Sequence, residues 1–178
     1  MGQFLSDVQT LRERARQHMS NGPVTEAYGA DRLQVINVLN EVLATEIVCY
    51  LRYKRHFHMA TGINAGPVAA EFDQHATEEL GHADLVAVRI TQLQGEPNYS
   101  PEGLATRSHS EYVEGETLQQ MIEEDLVAER IAIASYQEIV RWLGDGDPTS
   151  RRVIEQILEV EEEHADDLLS LLEKMPAS

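Results

Sequence analysis

At 178 residues and 42% hydrophobic content, the chain has room for a single domain with a substantial core. A net charge of −17, from 14 Lys+Arg against 31 Asp+Glu, argues against a nucleic-acid role, because such a surface cannot replace the cations condensed on a polynucleotide. Charges break every apolar stretch, so no membrane span is expected. Residues 1–20 lack the apolar run of a secretory leader, and the lone Cys49 has no partner for an internal disulfide, which fits a cytoplasmic setting.

In chain order, residues 3–20 read as a short helix ended by Asn21-Gly22-Pro23. Asp31 opens a long periodic segment that closes near Thr61-Gly62. A second long helix, with Pro67 in its first turn, runs to Gly95. Residues 95–116 carry two prolines and several glycines and read as a long crossover loop. A third helix spans about 117–143, Asp145-Gly146-Asp147-Pro148 forms a turn, and a fourth helix spans about 149–174. No convincing strand appears. The expected fold is all-α: a four-helix bundle of two hairpins joined by a crossover (31–175), behind an N-terminal extension with a short helix (1–30).

The two hairpins repeat a pattern. The first has Glu46 and then Glu79-Leu80-Gly81-His82; the second has Glu129 and then Glu161-Glu162-Glu163-His164. The glutamate spacings are 33 and 32 positions, and Tyr53 and Tyr136 each follow the leading glutamate by seven. The pattern reads as an internal duplication. On each helix these residues fall on the apolar seam, as in Val35, Leu39, Val42, Glu46, Cys49, Tyr53. Four glutamates and two histidines therefore point where leucines belong. A buried carboxylate without a partner costs several kcal/mol, and four together repel. Two divalent cations would cancel them, with each Glu-x-x-His placing both side chains on one face, a turn apart. Carboxylate and imidazole donors suit iron or manganese. Zinc can also bind but does no redox chemistry.

From Asp31 to Lys174 the chain resembles the ferritin-like superfamily, and the bacterioferritin branch in particular. The matching segments are 39–48 (Leu39-Asn40-Glu41 to Val48), Glu79-Leu80-Gly81-His82-Ala83-Asp84, Gly95-Glu96-Pro97-Asn98, and 157–164 ending in Glu161-Glu162-Glu163-His164. The resemblance implies that Glu46, Glu79, His82, Glu129, Glu161 and His164 bind two irons per subunit. Glu79 and Glu161 would bridge the irons, and the other four would be terminal ligands. It implies a ferroxidase that oxidises Fe(II) with O2 or H2O2 and stores the product in an oligomeric cage, with Tyr53 beside the centre as an electron donor. His75 and Glu78 match residues of an inner-surface iron site in some bacterioferritins. Leu80 stands where the family's haem ligand is a methionine, so haem is not expected by that route. Only 14 residues follow His164, where bacterioferritins have a fifth helix. With the N-terminal extension, this looks like Dps-like cages with a bacterioferritin-type site, and implies a dodecamer rather than a 24-mer. The alternative function is a non-storage di-metal (Fe or Mn) peroxidase or catalase of rubrerythrin-like type, although the chain lacks the four cysteines of a rubredoxin-type centre.

Overall fold

The computed structural model describes residues 7–63 and 65–175. Among them are six helices and no strand: α1 (Val8–Ala15), α2 (Arg32–Met59), α3 (Ala65–Gln92), α4 (Leu104–Arg107), α5 (Leu118–Leu143) and α6 (Pro148–Glu173). The expected helix over 3–20 is shorter, with α1 followed by a 3-10 turn at Met19–Asn21, and residues 3–6 lie outside the described set. The crossover is not wholly irregular, since it contains α4.

Local signals account for the helix ends. The Asp31 carboxylate accepts from the Leu33 and Gln34 amides and starts α2. Thr117 and Gln120 make a reciprocal capping box at α5. Asp147 caps α6 through the Ser150 amide, with Pro148 at the first helical position. Just before α5, Gly115 has φ +59°, and a Cβ there would stand 2.9 Å from the Met121 amide nitrogen, so both conformation and space require glycine.

The α2–α3 and α5–α6 pairs form two hairpins, and α4 packs on α2. Side chains of α2 pin the crossover along its length. Asn40 accepts from the Asn98 amide at 2.7 Å and donates to the Glu96 carbonyl at 3.3 Å. Thr45 accepts from the His109 amide at 2.9 Å. Arg52 donates to the Glu111 carbonyl at 2.7 Å, and His56 Nε2 lies 2.9 Å from the Glu114 carbonyl. These contacts satisfy backbone groups that have no helix partner.

The apolar core comes in two parts. One is built around Val35, Leu39, Leu43, Val86, Ile90, Tyr136, Ile154 and Ile157. The other is built around Tyr53, Val68, Phe72, Met121, Ile122 and Leu168. Between them, at the middle of all four long helices, lies a buried layer containing Glu46, Glu79, His82, Asp125, Glu129, Glu161 and His164. Among the described residues α2 is long and apolar enough to cross a membrane, which corrects the expectation that charges rule out every segment. More than half of its apolar window is buried in the bundle, and Glu46 and Arg52 lie inside with it, so its apolar character belongs to the core.

Candidate metal centre

Each long helix delivers its part of the polar layer: Glu46 from α2, Glu79 and His82 from α3, Glu129 from α5, Glu161 and His164 from α6. Their donor atoms form two overlapping groups, each within 4.8 Å. One is Glu46, Glu79, His82 and Glu161; the other is Glu79, Glu129, Glu161 and His164. Glu79 and Glu161 belong to both, so each can offer oxygen to two neighbouring cations.

Both histidines present Nδ1 to the carboxylates. His82 Nδ1 lies 3.2 Å from Glu46 and 3.0 Å from Glu161. His164 Nδ1 lies 3.5 Å from Glu79 and from Glu161 and 4.0 Å from Glu129, with no hydrogen-bond partner. Its other nitrogen, Nε2, is 2.8 Å from Glu78. A proton shared there leaves the Nδ1 lone pair facing inward, the arrangement by which an outer carboxylate orients a metal-binding imidazole. One oxygen of Glu79, one of Glu129 and Oε2 of Glu161 are buried without partners, while Glu161 Oε1 faces His82 Nδ1. Orphaned acceptors concentrated at one point call for a cation.

The electrostatics agree. Burial, reinforced by Glu161, pushes the Glu79 and Glu129 carboxyls well above the ordinary range, and burial with Glu46 raises Glu161. For Glu46, burial is outweighed by hydrogen bonding and attraction to His82, which hold it low. Burial opposes charge on His82, but Glu161 and Glu46 prevail and lift it to about 10. A proton on His82 Nδ1 and protons on the carboxyls thus stand in for the charge that cations would bring.

Two tyrosines complete the layer symmetrically. The Tyr53 hydroxyl of α2 donates to Glu129 of α5, and the Tyr136 hydroxyl of α5 donates to Glu46 of α2. The equal seven-residue offsets pointed to the duplication, and the crosswise pairing of each tyrosine with the other hairpin's glutamate emerges from the fold. Of the pair to which the resemblance pointed, Glu78 is engaged with His164, and His75 stacks on that ring with centroids 3.9 Å apart. Leu80 is half-exposed on α3, away from the layer.

Two buried networks flank the centre, and the sequence reading missed both. In one, Arg52 Nε donates to Asp125 at 2.7 Å while His56 Nδ1 lies 2.8 Å from the other carboxylate oxygen. In the other, Arg89 donates to Asp147 at 2.9 Å and to Ser150 at 2.8 Å, and the Tyr28 hydroxyl donates to Asp147 at 2.8 Å. Asp125 falls four residues before Glu129 on the same seam, which is the signal that could have revealed the first network.

Comparison with known proteins places these features in context. The ferritin-like domain profile matches residues 36–178. Bacterioferritin BfrA of Mycobacterium tuberculosis is 32% identical over 142 residues, covering 79% of this chain and 85% of its own. The structure of a dodecameric thioferritin, the bacterioferritin-related protein of Bacteroides fragilis, superposes with a TM-score of 0.77 at 32% identity, over 81% of this chain and 87% of that one. The Desulfovibrio desulfuricans bacterioferritin, described with its diiron site in different catalytic states, superposes with a TM-score of 0.71 at 26% identity over 80% of each chain.

Proposed function

The chain belongs to the ferritin-like domain family, and on that premise we propose that it is a ferroxidase that oxidises Fe(II) and holds the ferric product in an oligomeric cage. The observation that carries this reading is the pair of overlapping ligand groups sharing Glu79 and Glu161. Two Fe(II) ions are the substrate. Glu46 and His82 would hold one and Glu129 and His164 the other, with Glu79 and Glu161 reaching both. Four carboxylates balance the four positive charges of two divalent ions, so the histidines bind as neutral donors. Bound together, the two ions can each give up one electron to a single oxidant. With hydrogen peroxide and two protons, the products are two Fe(III) and two waters. With dioxygen and two protons, they are two Fe(III) and hydrogen peroxide.

The chain's own residues prepare this chemistry. Entry of the cations displaces the His82 Nδ1 proton and the carboxyl protons, so binding releases protons and weakens as pH falls. Tyr53 and Tyr136 hold the two outer carboxylates by hydrogen bonds and fix their orientation. Tyr53, buried beside Glu129, would supply a further electron when the oxidant takes more than the two irons give, its hydroxyl proton passing to Glu129. The two apolar core parts keep bulk water from the layer.

A homo-oligomer, and a dodecamer in particular, is supported by the dodecameric relative. It is also supported by Leu51, Leu80, Leu85 and Val88, which lie exposed on the α2–α3 hairpin. Residues 1–30 are the extension and 31–175 the iron-handling bundle in this reading. The test is to add excess Fe(II) to size-fractionated protein in air or with peroxide, following ferric absorbance and iron retained per chain. Retention far above two per chain in a cage-sized fraction supports storage. Saturation near two with repeated peroxide turnover would instead indicate a non-storage di-metal peroxidase. No oxidation above that of a Glu161→Ala variant would overturn both.

A further inference from the structure

The N-terminal extension is anchored to the bundle at its base and unpartnered further out. The Tyr28 hydroxyl donates to the buried Asp147 at 2.8 Å, the Gly29 amide donates to the Gly146 carbonyl at 3.1 Å, and Gln94 donates to the Ser20 carbonyl at 2.8 Å. Beyond these anchors α1 buries none of its residues. Isolated helices shorter than about 12–15 residues are marginal in water, so an eight-residue helix needs a surface to lie on. Val8, Leu11 and Ala15 form one apolar stripe at helical spacing. Val8 and Leu11 are 58% and 46% exposed. Leu11 and Ala15, with Met19 and Val24, line an apolar cup of about 450 Å³.

A second uncovered apolar surface lies on the bundle, between α2 and α5. Val38, Val127, Ile131, Ala134, Ile139 and Trp142 line a groove of about 910 Å³. Val127 and Trp142 are half-exposed at its two ends. The stretch of α5 between them is about 22 Å long and α1 about 12 Å, so the groove can seat the helix. Charge favours the match. Arg12, Arg14 and Arg16 balance Asp7, Glu13 and Glu26, so the whole net charge of −17 falls on residues 31–178 and two bundles repel each other. Residues 8–16 instead carry three arginines against Glu13, a net of +2. Arg14 is engaged with Glu26 at 3.5 Å, which leaves the charges of Arg12 and Arg16 uncompensated among the described residues. The groove's rim offers Glu41 and Glu138 against the single Arg130.

We propose that the extension of one chain docks on the α2–α5 groove of a second copy. The Val8–Leu11–Ala15 stripe lies on the apolar floor with Trp142 against the cup, and Arg12 and Arg16 face Glu41 and Glu138. The groove belongs to a neighbour because the extension leaves its own bundle on the α3 side, where Pro23, Ala27 and Tyr28 lie beside Arg89 and Gln92. The contact deepens the oligomer reading and rests on it. A self-complementary patch alone stops at a dimer, whereas an extension-to-groove contact repeats around a ring and joins dimers into a closed shell.

Two differently tagged chains, one carrying Ala15→Cys and the other Ser135→Cys, test it. Both changes are near-isosteric, and Cys49, 2% exposed, stays in each as the background thiol. The chains are co-expressed, isolated as the mixed oligomer and treated with a short bismaleimide linker, with circular dichroism checking the fold. A covalent pair holding both tags is expected, and neither variant mixed with wild type should give it. Adding Arg12→Glu and Arg16→Glu to the first chain should lower the yield about fivefold, two exposed ion pairs being lost. Adding Glu41→Arg and Glu138→Arg to the second chain should restore it. A full-sized oligomer without the mixed pair, or a yield indifferent to these charges, overturns the proposal and leaves the oligomer reading standing. Monomers at every concentration overturn both.

Discussion

Replacing Arg52 with methionine tests whether the layer beside the centre depends on buried charge compensation. Arg52 is 1% exposed and Asp125 0%. Methionine retains most of the stem packing but leaves the carboxylate without its 2.7 Å guanidinium partner. Breaking a fully buried pair from one side costs about 3–5 kcal/mol. His56 still faces Asp125 at 2.8 Å, which keeps one donor in place and argues for about 3 kcal/mol. The lost bond to the Glu111 carbonyl adds about 1 kcal/mol. The sum is about 4 kcal/mol, or a melting temperature lower by roughly 8–16 °C for a chain of this size. Thermal unfolding of metal-free protein at one fixed concentration measures it, since assembly makes the transition concentration-dependent. Adding Asp125→Asn should restore about half of the loss, because the stranded charge is removed while an oxygen remains for His56. A drop of less than about 1 kcal/mol for Arg52→Met, or a double variant weaker than the single one, would refute the reasoning.

Three further outcomes are expected. His82 is raised to about 10 from the ordinary imidazole value of 6.5, so its stabilising contribution to the metal-free fold is complete below pH 6.5 and is lost as pH rises through about 10; melting curves across that window should fall without metal and flatten with Zn(II), which displaces the proton. Glu79→Gln removes a carboxyl that burial and the Glu161 charge push well above its ordinary range, so the metal-free protein should gain about 1 kcal/mol by denaturant unfolding while losing paired cation binding by calorimetry; a less stable apoprotein would contradict this. Tyr136→Phe takes a hydroxyl donor from the buried Glu46 carboxylate and should cost about 2 kcal/mol in the metal-free protein, measured by denaturant unfolding against Tyr53→Phe as the symmetric control.

The bundle and the buried layer of four glutamates and two histidines were legible because periodicity reports directly on burial. A glutamate at a seam position is an exception to the hydrophobic pattern, and the same exception twice, at nearly equal spacing, signals a shared purpose. What escaped was whatever depends on reach rather than period. Arg52 lies off the α2 seam as read from Val35 to Tyr53, and only the bend of the crossover brings the Glu111 carbonyl to its guanidinium. Arg89 and Asp147 are separated by 58 positions, and nothing local to either announces the other. Glu71 and Asp167 lie on different hairpins, and only the packing of α3 against α6 brings both to His75 Nε2. The short α4 was hidden by its length, since four residues are too few for a periodic signal.

The division of the core into two apolar parts has a consequence for the life of the protein in a cell. The parts meet across a layer of buried carboxyls that only protons keep near neutrality without metal, so on the ferroxidase reading the bundle would open most easily at its waist when iron is scarce. An opened waist exposes the middles of all four long helices, the segments from which a protease or an unfolding machine gains purchase. A filled waist closes that opportunity. The chain would thus persist in proportion to the cargo it carries, and its abundance would follow iron supply with no separate sensor.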